Sequence, residues 1–123
     1  MEPLNLTPTE DTPEVVLNAA EGKFLIARRS LPEDSASFYK NIFEWLMEYS
    51  KSPNPQTIMK FNLEYFNTSS AKQIFKLFNL FELLKEKSEV KILWYYDKRD
   101  NDMRDSGERF SRLCSLDFEI IES

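Results

Sequence analysis

The chain contains no histidine and a single cysteine, Cys114, among its 123 residues. The absence of histidine excludes serine–histidine triads, histidine general bases and most zinc chemistry. A single cysteine excludes an internal disulfide and any metal site built from several cysteines. Catalysis by carboxylates or lysine alone stays open, so these absences weaken the case for an enzyme without removing it. We expect Cys114, beside Leu113, to be a small buried apolar residue.

A long apolar run and a concentrated basic segment are also missing. No apolar stretch approaches 18 residues and no charged-then-apolar leader is present, so we expect a soluble, cytoplasmic protein. The formal net charge is −5, whereas a nucleic-acid-binding surface requires a basic patch. We therefore expect neither a membrane nor a nucleic acid among the partners.

Aromatic residues, in contrast, are abundant, with ten Phe, five Tyr and two Trp. The length suits one domain, residues 1–123, with a real hydrophobic core. Residues 1–13 contain three prolines and predict an edge strand followed by a loop. The segments "EVVLN" and "KFLIAR" predict a β-hairpin with Gly22 at its turn. "SLPE" predicts a capping box with Ser30 as the N-cap, from which a helix runs to about Ser50.

The segment "QTIMKFNLEYF" alternates between apolar and polar residues, which predicts a strand with one wet face. The predicted inward set is Met59, Phe61, Leu63 and Tyr65, and the outward set is Lys60, Asn62 and Glu64. A strand covered by helices on both faces would be apolar throughout. We therefore expect the helices to cover mainly one face of the sheet.

The second half of the chain predicts a helix, a strand, a loop with a helix, and a last strand. The first helix, "SSAKQIFKLFNLFELLKEK", should face inward through Ile74, Phe75, Phe78, Phe81 and Leu84. The strand "VKILWYY", the acidic loop and helix "DKRDNDMRDSGERFSRLC" and the strand "SLDFEII" follow. Gly107 indicates either a close backbone approach or a late helix start. The predicted fold is a two-layer α/β domain of order ββαβαβαβ, with a mixed sheet of five to six strands and parallel βαβ units.

Four small polar residues, Asn67, Thr68, Ser69 and Ser70, stand at the predicted start of that long helix. With Asn67 as N-cap, the three hydroxyls occupy the first turn, where unpaired N–H groups and the helix dipole favour an anion. Three interpretations remain open: a helix start with more capping residues than it needs, a bound phosphate-bearing ligand, or a phosphate attached to one hydroxyl. A P-loop is excluded because the chain lacks a Gly-rich loop and its GK[ST] sequence.

The acidic stretch contains Asp97, Asp100, Asp102 and Asp105 before and within a predicted helix. Its spacing does not match an EF-hand loop. Carboxylates at a helix start are ordinary capping and dipole partners. Partner recognition and a bound divalent cation are the alternatives.

The segment "FYKNIFEWLMEY" carries more apolar residues than one helix face can bury. A period of 100° per residue groups Phe38, Ile42, Trp45, Leu46 and Tyr49 into one stripe. Phe43 and Met47 fall outside this stripe, and Tyr39 lies at its margin. Adjacent exposed aromatic and Met side chains are typical of interfaces, so these three are candidate partner-binding residues.

Several stretches together resemble the SiaC family of regulatory phosphoproteins. They are "RSLPED", "FY…WLMEY", "FNLEYFNTSSAKQI", "WYYD…D.DM…GE.F" and the closing strand, in order along nearly the whole chain. The block "YFNTSS" is the most specific. Two positions depart from the family pattern: Arg28 stands where the family has Gly, and Leu31 where it has an aromatic residue.

The resemblance implies a non-catalytic partner-switching protein, similar to anti-sigma-factor antagonists, without a cofactor or a metal. It implies that Thr68 is the phosphoacceptor, that a dedicated protein kinase adds the phosphate and that a PP2C-type phosphatase removes it. The unphosphorylated form would bind and activate a diguanylate cyclase, which raises cyclic di-GMP and promotes biofilm formation. Two alternatives remain: a sigma-factor regulator with the same switch, and a cation-dependent enzyme that uses the acidic loop.

Overall fold

Six segments of alternating polarity form one mixed sheet, and three amphipathic segments form helices in the computed structural model, which describes residues 1–123. The strands are β1 (Leu4–Leu6), β2 (Glu14–Asn18), β3 (Lys23–Ser30), β4 (Gln56–Phe66), β5 (Glu89–Tyr96) and β6 (Asp117–Glu122). The helices are α1 (Ser35–Tyr49), α2 (Thr68–Leu84) and α3 (Asn101–Leu113). The order confirms the predicted α/β class, with β1 as the additional edge strand.

The strands lie in the sheet in their chain order, β1 to β6. β1, β2 and β3 pair antiparallel, and Gly22 turns the β2–β3 hairpin with a φ of 67°. From β3 to β6 every neighbouring pair is parallel. Because each crossover moves one strand further in the same direction, right-handed crossovers place all three helices on one face of the sheet.

The hydrophobic core fills the space between the sheet and this helical layer. Its largest fully buried side chains include Trp94, Tyr49, Phe61, Phe78 and Phe81. The outward residues Lys60, Asn62 and Glu64 of β4 are exposed, as predicted. In α2 the inward face differs slightly from the prediction, because Leu77 is fully buried while Phe75 is only half-buried.

The predicted inward position of Tyr65 is wrong, because the β3–β4 pairing contains a bulge. Arg28 pairs with Leu63 but Arg29 pairs with Tyr65, so one residue of β4 is skipped. Since side chains alternate along a strand, this slip turns Tyr65 outward, where it is 52% exposed. Phe66 takes the inward place and packs edge-on against Trp94, with ring centroids 6.1 Å apart.

Arg28 adopts a backbone conformation that glycine prefers. Its φ is 79°, in the left-handed region, where a Cβ is unfavourable. This geometry gives a physical reason for a glycine at this position and shows that arginine can occupy it without a change of fold.

The predicted capping box at Ser30 is also wrong. Ser30 is the last residue of β3, and α1 begins at Ser35 with Asp34 as its N-cap, whose carboxylate accepts the Ser37 N–H at 3.2 Å. Pro32 disfavours helical backbone at the residue before it, so the chain stays extended beyond Ser30. The Leu31 N–H donates to the Asp11 carbonyl at 2.6 Å. The end of the helix, at Tyr49, agrees with the prediction.

Gly107 marks a close approach between α3 and the sheet. A Cβ added at this position would lie 2.5 Å from Cδ1 of Trp94. The same indole donates its Nε1–H to the Met103 carbonyl at 3.0 Å. Of the two predicted explanations for Gly107, close backbone approach is correct and a late helix start is wrong. Cys114 is half-buried against the core, and this burial raises the pKa of its thiol.

Candidate functional site

The start of α2 lies at the carboxyl edge of the parallel strands, directly after β4. Asn67 is its N-cap, and the amide oxygen of Asn67 accepts the Ser70 N–H at 2.9 Å. The Asn67 N–H donates to the Ser30 carbonyl at 3.1 Å, which ties the helix start to the end of β3. The predicted role of Asn67 as the N-cap of this helix is therefore confirmed, and the next three residues form the first helical turn.

The three hydroxyls of this turn have different surroundings. Thr68 is the first residue of α2 and its side chain is exposed. The Ser69 hydroxyl donates to Oδ1 of Asn67 at 3.1 Å, and the Ser35 hydroxyl donates to Oγ of Ser69 at 2.7 Å. The Ser69 hydroxyl thus joins the starts of α1 and α2.

Ser70 is fully buried and belongs to a chain of hydroxyl groups. Its hydroxyl donates to the Ser30 carbonyl at 2.9 Å and accepts the Ser30 hydroxyl at 2.8 Å. The Tyr39 hydroxyl completes the chain by donating to Oγ of Ser30 at 2.7 Å. Every member of this chain has a partner, so the buried hydroxyls stabilise the junction between β3, α1 and α2.

Tyr39 is therefore an internal residue, and its predicted place on a docking surface is wrong. Its side chain is fully buried, and this burial raises its pKa to about 12 although hydrogen bonds to Ser30 and Ser70 act in the opposite direction. Phe43 is half-buried and packs partly against the core. Met47 is 59% exposed, so it lies at the surface as predicted.

The charge around the start of α2 comes from neighbouring elements. No acidic residue occupies the first turn of the helix. A shallow depression of about 630 Å³ lies between the starts of α1 and α2 and is lined by Glu33, Asp34, Ser35, Ala36, Ser69, Lys72 and Gln73. Lys72 lies one helical turn beyond Thr68, at the i+4 spacing that brings two side chains of a helix together.

The acidic stretch forms the turn and the cap before α3. The carboxylate of Asp97 accepts the Arg99 N–H at 2.9 Å and its Nε–H at 3.3 Å, and these bonds lower the pKa of Asp97. Asp100 is the N-cap, accepting the Met103 N–H at 3.0 Å, and Asp102 lies exposed in the first turn. The carboxylates therefore have the predicted capping role.

No group of three or more Asp, Glu, His or Cys side chains is placed to hold a metal ion anywhere in the chain. None of the three helices is long and apolar enough to cross a membrane. Because β4 and β5 are parallel neighbours, the acidic turn leaves the sheet at the same edge as the start of α2. Thr68 and the acidic turn thus share one end of the molecule.

Comparison with known proteins identifies the family. The family model described as SiaC family regulatory phosphoprotein matches residues 6–123. The chain belongs to the SiaC family. An uncharacterised protein of Pseudomonas aeruginosa strain UCBPP-PA14 is 26% identical over 121 residues, which cover 98% of this chain and 96% of that protein.

Two solved structures of the family extend the comparison. The crystal structure of apo-SiaC from Pseudomonas aeruginosa is 25% identical, with a TM-score of 0.90 and complete coverage of both chains. The diguanylate cyclase SiaD in complex with its activator SiaC, from the same organism, contains a chain that matches with a TM-score of 0.88 and 25% identity. That match covers 95% of this chain and 97% of the other. The SiaC of Pseudomonas aeruginosa thus binds a diguanylate cyclase.

The sequence alone did not reveal the buried hydroxyl chain. One signal was available, because Ser70 stands four and seven residues before Ile74 and Leu77 and shares their inward helix face. A hydroxyl on that face must find a partner inside the protein. Its partners, Ser30 and Tyr39, come from β3 and α1, and no local pattern joins them.

Proposed function

We propose that this SiaC family protein is a partner-switching regulator without catalytic activity, controlled by phosphorylation of Thr68. A dedicated protein kinase adds the phosphate and a PP2C-type phosphatase removes it. The unphosphorylated form binds and activates a diguanylate cyclase, which raises cyclic di-GMP and promotes biofilm formation. One observation carries the choice of residue: Thr68 and Ser69 are both exposed in the first turn of α2, but the Ser69 hydroxyl is hydrogen-bonded between two helices, and Ser70 is buried.

A phosphate on Thr68 would be compatible with the fold. The first turn supplies unpaired backbone N–H groups, and the helix dipole stabilises an adjacent anion by about 0.3–2 kcal/mol. The Lys72 ammonium, one turn further along α2, adds a cation at the i+4 spacing. The phosphate would also project into solvent, so its attachment would displace no buried side chain.

The same phosphate would interfere with binding. A partner that covers the neutral Thr68 hydroxyl must, after phosphorylation, desolvate a group with nearly two negative charges. A penalty of about 4 kcal/mol corresponds to a thousandfold loss of affinity, at about 1.4 kcal/mol per decade. Phosphorylation would therefore change association much more than stability.

The site is tested by kinase treatment followed by peptide mass spectrometry. The protein is incubated with ATP and the proposed protein kinase of the same organism, and the variants Thr68→Ala, Ser69→Ala and Thr68→Asp are treated in parallel. We expect labelling of wild type and Ser69→Ala but not of Thr68→Ala, and we expect Thr68→Asp to bind the cyclase weakly. Phosphate that persists in Thr68→Ala, on Ser69 or Ser70, would contradict the choice of Thr68.

A further inference from the structure

The α1 and α2 helices lie side by side and leave a groove between their C-terminal halves. Both follow parallel neighbouring strands, and at their starts Oγ of Ser35 lies 2.7 Å from Oγ of Ser69. Towards their ends the helices enclose a groove of about 380 Å³, the α1–α2 groove. It is lined by Met47, Ser50, Lys51, Leu80, Leu83, Leu84 and Lys87.

Two of the five exposed large apolar side chains of the protein lie at this groove. Met47 is 59% and Leu83 is 69% exposed, and they approach the groove from opposite sides. The other three lie elsewhere: Met1 precedes β1, Tyr65 lies on β4 and Leu113 ends α3. Met47 and Leu83 line the groove together with half-buried Leu80, and an exposed apolar patch of this kind is typical of a protein-contact surface.

Helical periodicity extends the groove towards Thr68. At 100° per residue, one flank of α2 carries Ser69, Lys72, Lys76, Leu80 and Leu83 within an arc of about 80°. Ser69 and Lys72 line the depression at the start of α2, and Leu80 and Leu83 line the groove. The flank is about 22 Å long from Thr68 to Leu83 at 1.5 Å per residue, which is the length of a four-turn helix.

The charge of the groove is opposite to that of the whole chain. Its lining contains Lys51 and Lys87 but no carboxylate, although the formal net charge of the protein is −5. Lys51 pairs with Glu48 at 2.9 Å, whereas Lys87 approaches only the Ser50 carbonyl, at 3.4 Å. Lys76 extends the basic flank in the direction of Thr68. A partner segment that covers both the apolar centre and the basic rim of the groove must be apolar on one side and acidic at its margins.

We propose that the α1–α2 groove receives an acidic amphipathic helix of the partner protein, an inference that rests on the partner-switching function proposed above. Apolar residues of that helix, spaced three and four apart, contact Met47, Leu80 and Leu83, and its carboxylates face Lys76 and Lys87. The helix reaches the start of α2 at its other end. A phosphate on Thr68 then repels the carboxylates of the partner helix. This explains how modification of one hydroxyl weakens binding along the whole flank of α2.

The proposal is tested by calorimetric titration of the full-length unphosphorylated protein with the diguanylate cyclase of the same organism. Leu83→Ser and Lys87→Glu each change the groove far from Thr68, and Leu113→Ser and Lys60→Glu are matched controls on other surfaces. We expect at least a tenfold weaker affinity for Leu83→Ser and about fivefold for Lys87→Glu, with both controls within twofold of wild type. Melting temperatures identify any variant that unfolds, in which case Met47→Ser replaces Leu83→Ser.

The outcomes separate the groove from the switch. If Thr68→Asp loses binding while Leu83→Ser and Lys87→Glu bind like wild type, the groove proposal is overturned and the switch stands. If the groove variants lose binding but Thr68→Asp does not, the groove stands and the switch at Thr68 is overturned. Equal losses in Leu83→Ser and Leu113→Ser contradict a localised groove, and no binding by the wild-type protein overturns both proposals.

Discussion

The helices α2 and α3 begin at the same edge of the sheet, but they satisfy their positive N-termini in different ways. The start of α3 has Asp100 as its cap and Asp102 in its first turn, so the chain supplies its own negative charge. The start of α2 has the neutral cap Asn67 and no acidic residue in its first turn. The start of α1 also has a carboxylate cap, Asp34. Of the three helix starts, only that of α2 leaves its dipole without an internal anion, and only there does an exposed threonine stand at the first position.

The largest expected effect contrasts two substitutions within that turn. Ser70→Asp places a carboxylate inside the buried hydroxyl chain, and we expect a loss of about 3–5 kcal/mol in the free energy of unfolding. Thr68→Asp places the same charge in solvent at the positive end of the helix dipole. We expect the free energy of unfolding to change by no more than about 1 kcal/mol, in the stabilising direction. Urea denaturation measures both. Similar stabilities for the two variants would contradict the difference in burial between positions 68 and 70.

A second prediction compares the two caps directly. Asn67→Ala and Asp100→Ala each remove a side chain that accepts a backbone N–H, and each should cost about 0.5–2 kcal/mol. Only the Asp100 loss contains a charge–dipole contribution, of about 0.3–1 kcal/mol, so only that loss should shrink in 0.5 M salt. Denaturation at two salt concentrations tests this. An equal salt response in both variants would remove the electrostatic difference between the helix starts.

A third prediction gives α2 the internal charge that it lacks. Asn67→Asp should stabilise the unphosphorylated protein by about 0.3–1 kcal/mol, because a carboxylate then caps the dipole. The same carboxylate should repel a phosphate on Thr68. The phosphorylated variant should therefore melt at a lower temperature than its unphosphorylated form. A phosphorylated Asn67→Asp that melts at a higher temperature than the unphosphorylated variant would contradict this interpretation of the neutral cap.

The smallest predicted effect concerns the acidic turn at low pH. The backbone N–H and the guanidinium of Arg99 lower the pKa of Asp97 below its usual value of 3.8. The folded state therefore binds this proton less tightly than the unfolded state. The stabilising contribution of Asp97 is present above the unfolded pKa and is lost as the pH falls through the lower, folded value. NMR titration should find a midpoint for Asp97 below 3.8, and Asp97→Asn should remove this part of the acid dependence. A midpoint above 3.8 would argue against the turn seen here.

The sequence predicted those features that depend on local patterns. The alternation around Phe61 correctly indicated a sheet with one wet face, and Asn67 was identified as the cap of α2 because small polar residues precede a strongly periodic helix. Gly107 indicated either a close approach or a late helix start, and its contact with Trp94 shows that the first is correct. Each of these signals lies within one element or at its boundary.

The errors arose where distant segments decide the local structure. Tyr65 points outward because of a bulge in its pairing with β3, and alternation along β4 contains no sign of it. Ser30 resembled a helix cap, but its hydroxyl is bonded to Tyr39 and Ser70, one of them 40 residues away. Tyr39 was placed at the surface for the same reason, since its internal partners come from other elements. Thr68 was selected among the three hydroxyls by family resemblance. The burial of Ser70 and the hydrogen bonds of the exposed Ser69 to Ser35 and Asn67 supply an independent physical argument.

The affinity of fully phosphorylated protein for the diguanylate cyclase tests the central claim most directly. Protein carrying phosphate only on Thr68 is titrated against the cyclase, and unphosphorylated protein and phosphatase-treated protein serve as controls. We predict an affinity at least a hundredfold weaker than that of the unphosphorylated protein, full recovery after phosphatase treatment, and melting temperatures within a few degrees of each other. Equal affinities for the phosphorylated and unphosphorylated forms, with both forms folded, would contradict the account.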